Sequence, residues 1–170
     1  MDIQRATWRA GGYFAELLAQ ICEGSSLREA IELARRPLVA HDRSQEVSKA
    51  IDAALQLASG GAEPSPELVG TLGGAWIGEE ALSIALSCSL VARDFDHGVR
   101  LAVNHSGDPD STGALVGNVL GALWGAEAIP ARWLADLQLR KAIETTAADL
   151  TAVRSEKFDT RAEFDRYPGW

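Results

Sequence analysis

Residues 104 to 118 read Asn-His-Ser-Gly-Asp-Pro-Asp-Ser-Thr-Gly-Ala-Leu-Val-Gly-Asn. Asp108 and Asp110 stand two apart, and the hydroxyls of Ser111 and Thr112 follow directly. Hard oxygen donors at this density are what a divalent cation such as Mg²⁺ or Mn²⁺ selects. The small residues that follow open a helix, which places the cluster at a rigid helix entrance. The same residue types also build turns and helix N-caps, and a short motif does not by itself separate the two readings. An EF-hand loop is excluded. Asp108, Asp110, Thr112 and Gly113 would be positions 1, 3, 5 and 6 of such a loop, but position 12, which requires a bidentate glutamate, is Val119.

The elements that must position this cluster read as helices throughout. Phe14 to Glu23 is amphipathic and closed by Gly24. Ser26-x-x-Glu29 is a capping box for a helix from Leu27 to Arg36, which Pro37 is expected to end. A third helix spans about Ser44 to Ala58, capped by Asp42 or Ser44. Residues 59–66, with Gly60-Gly61 and Pro64-Ser-Pro66, form the strongest break in the chain. A short helix near 67–71 follows, then helices from Gly78 to Ala92 and Phe95 to Val103, the motif, a helix from Thr112 to Ala126, and a last long helix from Pro130 to about Leu150. No alternating strand pattern occurs, so the expected fold class is all-α, a single compact domain over 1–170. The tail 151–170 has no assignment, although Phe158, Phe164, Tyr167 and Trp170 predict docking on the body. Gly113, Gly117, Gly121 and Gly125 recur every four residues. Glycine inside a helix costs about 0.5–1 kcal/mol relative to alanine, so tight packing of another helix on this stripe is expected.

The chain has 170 residues, 46% of them hydrophobic, and a net charge of −8. That is enough chain for a real core, and the acidic balance with no basic stripe argues against a nucleic-acid partner. Cys22 and Cys88 match no ligand spacing and are expected as buried core residues in a reducing compartment. No signal-peptide pattern and no membrane-length apolar run occur, so a soluble cytoplasmic protein is expected. His41 and His97 are expected at the surface.

Two blocks of the sequence carry a resemblance. The motif continued through Val119-Leu-Gly-Ala-Leu-Trp-Gly-Ala-Glu-Ala-Ile-Pro-Ala-Arg-Trp133, and Leu72-Gly-Gly-Ala-Trp-Ile-Gly-Glu-Glu-Ala-Leu82 upstream of it, resemble the C-terminal half of the ADP-ribosylglycohydrolase family. The resemblance runs from about Thr7 to Leu150. It implies an all-helical domain that holds two divalent cations, usually Mg²⁺, and cleaves the glycosidic bond between ADP-ribose and its acceptor. The family's Gly-Asp-x-Asp-[Ser/Thr] motif is matched by Gly107-Asp108-Pro109-Asp110-Ser111, so the resemblance implies metal ligation by Asp108, Asp110 and Ser111. Gly107, Thr112, His105, Trp76 and Glu80 are the accompanying substrate-binding candidates. Against these stand plainer roles: Trp76 as core, Glu79 and Glu80 as acidic first-turn residues of a helix, and His105 as the support of a turn.

The departures from the family pattern are equally specific. The family's Thr-Asp-Asp ligands and its catalytic glutamate belong to its N-terminal half, and this chain contains no Asp-Asp dipeptide. Its start resembles the family's middle, where a Thr-His pair is matched by Thr7-Trp8. The catalytic residue is therefore unassigned. The resemblance implies either a partial or split hydrolase or a non-catalytic ADP-ribose-binding remnant. Either reading predicts a complementing N-terminal chain or self-association across the uncovered face.

Overall fold

The computed structural model describes residues 3–39 and 44–155, with the side chains of 3–6 and 154 excepted. Local sequence explains most of the helix boundaries. Helix α1 spans Ile3–Cys22 and α2 Leu27–Val39. At the start of α2, Ser26 N donates to Glu29 Oε2 (3.0 Å) and Glu29 N donates to Ser26 Oγ (3.4 Å), the reciprocal bonds of the capping box. The Ser26 hydroxyl, which donates to Glu29 Oε2 at 2.6 Å, and then the Ser26 N–H hold the Glu29 carboxyl below its usual range. Helix α3 spans Gln45–Ser59, where Ser44 makes no side-chain cap. Helix α4 (Pro66–Gly70) starts with Pro66 in the first turn and Ser65 Oγ accepting from Leu68 N. Helices α5 (Gly78–Val91) and α6 (Phe95–Val103) follow, the latter capped by Asp94, which accepts from His97 N at 2.7 Å. Helix α7 spans Pro109–Trp124, a 3₁₀ turn occupies Ala126–Ala128, and α8 (Ala131–Ala135) and α9 (Arg140–Arg154) complete the order.

No strand occurs among the described residues, so the fold is all-α. Four differences from the sequence reading exceed two residues. Helix α1 extends eleven residues further towards the N-terminus than Phe14, because Ala10 and Tyr13 join the core. Helix α2 runs through Pro37 to Val39, since a proline two residues from a helix end removes only one backbone bond. Helix α7 starts at Pro109 rather than Thr112, which draws Asp110 and Ser111 into its first turn. The last long helix is instead two, broken after Ala135 at an aspartate, Asp136, that the negative end of a helix disfavours. Leu139 then starts α9 with a left-handed φ of 57°. Asp42, His41 and the tail aromatics lie outside the described residues.

The described residues divide into two compact units, one up to Pro130 and one from Ala131 onward. In the first, α5 is the central helix, packed against α3, α7, α1 and α6. All nine residues from Ala81 to Ser89 are buried, which fits a helix that is apolar on every side. Its serines bond within the core: Ser83 Oγ donates to Ala50 O at 2.9 Å and Ser87 Oγ to Ile84 O at 3.0 Å. Leu17, Ile21, Ile31, Val47, Ile51 and Val119 form one core cluster with Leu82 and Leu86 of α5. In the second unit, Arg140 pairs with Glu144 at 2.7 Å along α9. Among the described residues no helix is long and apolar enough to cross a membrane.

Two expectations about small residues need correction. Cys88 is buried, and burial pushes its thiol up to about 12, but Cys22 is exposed at the end of α1, one residue beyond the last core position on that face. The glycine ladder is not a packed stripe. A Cβ at Gly113 would come 2.7 Å from Val103 Cγ1 of α6, yet at Gly117 and Gly121 it would meet nothing within 4 Å. Gly125 serves a different purpose, ending α7 with a φ of 76° that L side chains rarely adopt.

Candidate functional site

The motif folds as the entrance of α7. Pro109 occupies the first turn, where its missing N–H breaks no helical bond, and Asp108 stands at the cap position with φ −93° and ψ 85°. In that conformation the Asp108 side chain makes no capping hydrogen bond. It accepts instead from Ser111 Oγ at 2.7 Å. The Asp110 side chain first, then the Ser111 hydroxyl, hold the Asp108 carboxyl below the usual carboxylate range. Asp108 is partly exposed, and Asp110 and Ser111 are exposed. The oxygen groups of Asp108, Asp110 and Ser111 thus share one open helix entrance.

Beneath them the structure is closed. Thr112 is fully buried, and its hydroxyl donates to Ala102 O at 2.7 Å while lying 3.1 Å from Asp108 O. His105, 6% exposed, lies 3.0 Å through Nε2 from the same hydroxyl. His105 Nδ1 is buried without a hydrogen-bond partner. His105 and Thr112 are therefore committed inside the turn rather than presented to the open side.

The second block meets the first through the backbone. Gly74 O accepts from Asp108 N at 2.9 Å, and Gly74 N donates to Glu80 Oε2 at 3.1 Å. Glu79 and Glu80 both lie in the first turn of α5, as the plainer reading expected. Trp76 is not core: it is 76% exposed, with its indole Nε1 against Gly74. Gly107 is wedged under this loop. A Cβ there would strike the Gly74 carbonyl oxygen and sit 2.8 Å from His105 Cε1. Gly107→Ala is expected to cost about 1–3 kcal/mol or more in stability through this overpacking and to displace Asp108, checked by thermal denaturation alongside cation titration.

A cleft of ≈370 Å³ opens beside Ser111, between α1, α5 and α7, with Thr7, Phe14, Gly78, Leu82 and Leu115 among its walls. Sequence reasoning missed Gly74 and most of this cleft. The doublet Gly73-Gly74 ahead of α5 was the available signal for a tightly approached backbone. The sequence profile of the family described as ADP-ribosylglycohydrolase matches residues 4–160. The chain belongs to the ADP-ribosylglycohydrolase family. No curated protein and no solved structure matches it.

Two carboxylates and a hydroxyl at one helix entrance suit a hard cation that prefers oxygen. Ser111 spends its proton on Asp108, which leaves its oxygen lone pairs free. Three donors fill only half of an octahedral shell, and among the described residues no group of three or more His, Cys, Asp or Glu side chains gathers to hold an ion. The residues thus supply at most three of the oxygen donors that such a cation would take.

Proposed function

We propose that the chain acts in the metal-dependent hydrolysis of the glycosidic bond of ADP-ribosylated proteins or related ADP-ribose conjugates. Asp108, Asp110 and Ser111 would supply one side of a site for Mg²⁺ or Mn²⁺, with two ions in the completed site. The observation that carries this reading is the presence of these three donors at the entrance of α7 in a chain of this family. When bound, the cation supplies charge stabilisation and orients the ribose hydroxyls and the attacking water.

The chain's own residues prepare the site. Asp108 is held ionised by its neighbours, so it presents full charge without first losing a proton. Asp108 and Asp110 stand at the N-terminal end of α7, where the helix favours nearby negative charge. Gly107, His105 and Thr112 fix the turn from below. Trp76 offers an exposed indole face on which an adenine ring can stack. The remaining donors of such a site would lie outside Asp108, Asp110 and Ser111. With a net charge of −8, nucleic acid is not the partner this reading favours.

A second reading, ADP-ribose binding without hydrolysis, is favoured by the absence of any Asp-Asp dipeptide from the sequence. Calorimetric titration of ADP-ribose into the chain, with Mg²⁺ and again with chelator, tests the common part. Binding that needs Mg²⁺ is expected, and no heat in either condition would sink the site. Release of ADP-ribose from a modified protein, lost in Asp108→Asn, would select hydrolysis. Binding without release would select the second reading.

A further inference from the structure

An aspartate at a helix N-cap ordinarily spends its carboxylate on the first-turn amides. Asp108 does not, because its position is fixed from behind by its own backbone N–H. That N–H ends on Gly74 O, and the N–H of Gly74 ends on the Glu80 carboxylate. We propose that Glu80 is a positioning residue for Asp108, acting through the Gly74 backbone, rather than a ligand of substrate or cation. The proposal rests on the cation-site reading above.

The loop between them admits little play. Gly73 has φ 126°, and a Cβ there would come 2.6 Å from Glu80 Cδ, so the carboxylate lies against the glycine's bare face. On the next residue a Cβ would come 2.6 Å from Trp76 Nε1, so the indole closes Gly74. Ala75, 5% exposed, is held at φ 62°, a left-handed backbone that persists in a non-glycine residue only where its surroundings over-determine it. Glu80 itself grows from the first turn of α5, the helix buried along most of its length, so the relay transmits the rigidity of the core to a residue at the surface. The carboxylate of Asp108 is thereby left for a cation while its backbone stays fixed.

The test uses the full chain and three variants. Glu80→Gln keeps an oxygen in reach of Gly74 N, Glu80→Asp keeps the charge but withdraws it by one methylene, and Glu80→Ala removes both. Amide exchange at Asp108 is read by NMR, with Val119 and Leu120 of α7 as controls for folding, and Mn²⁺ affinity is read by paramagnetic resonance. Glu80→Asp and Glu80→Ala should speed Asp108 exchange about fivefold or more without moving the controls. They should weaken Mn²⁺ about tenfold, the scale of a lost supporting bond, while Glu80→Gln stays within about threefold on both readouts. Unchanged Asp108 exchange in Glu80→Asp would overturn the relay. Mn²⁺ loss in Glu80→Gln equal to that in Glu80→Ala would overturn it in favour of direct ligation. A wild-type chain that binds no Mn²⁺ would remove the cation reading, and the Asp108 amide alone would then decide whether Glu80 positions the turn.

Discussion

Asp108→Asn is expected to weaken Mn²⁺ binding on the order of 100-fold, because it removes a full ligand charge from a site that has few. The fold should survive, since the replaced oxygen is partly exposed and the backbone bond to Gly74 O does not involve the side chain. The pH dependence follows from the direction of the shift. Asp110 and Ser111 lower the Asp108 carboxyl, so protons compete with the cation only below the ordinary carboxylate range, near pH 4. Affinity should be insensitive to this group above that range and fall as pH drops through the lowered value. The linkage to folding has the same sign: the contribution of this carboxylate is present above its unfolded pKa and lost as pH falls through the folded one. Titrations at successive pH values check both points, and equal affinity in the wild type and the variant would remove Asp108 from the cation site.

Leu86→Ala should lower the stability of the first unit by about 2–5 kcal/mol, since Leu86 is fully buried in the core cluster and its removal leaves a cavity. For a chain of this size that corresponds to a fall in Tm of roughly 5–15 °C. Chemical denaturation with an unchanged slope would show the loss to be one of stability rather than of compactness. A loss under about 1 kcal/mol would mean that α5 is less central than its burial implies.

The helices were legible where local chemistry fixes them. Ser26 with Glu29, Ser65 with Pro66, and Asp94 each stop the chain in a way that needs no tertiary partner. The start of α7 was misplaced because Pro109 reads as a turn residue, while the first turn of a helix accepts it equally well. The extension of α1 is written in the packing of Ala10 and Tyr13, not in any stripe of its own sequence. Within the site, the types and spacing of Asp108, Asp110 and Ser111 were legible. The bonds that converge on Gly74 were not, because they join residues far apart in the chain through backbone groups that every residue shares. The exposure of Trp76 was equally invisible, since an indole beside glycines suits a core as well as a surface.

The two cysteines give the molecule a chemical clock. Cys22 is exposed and is expected to take an alkylating reagent in the folded chain. Cys88 sits in the same helix as Glu80, buried and with its thiol pushed up to about 12, so it is masked both by access and by protonation. The second equivalent of label is consumed only when α5 leaves the core, and its rate times the opening of the scaffold on which Asp108 depends.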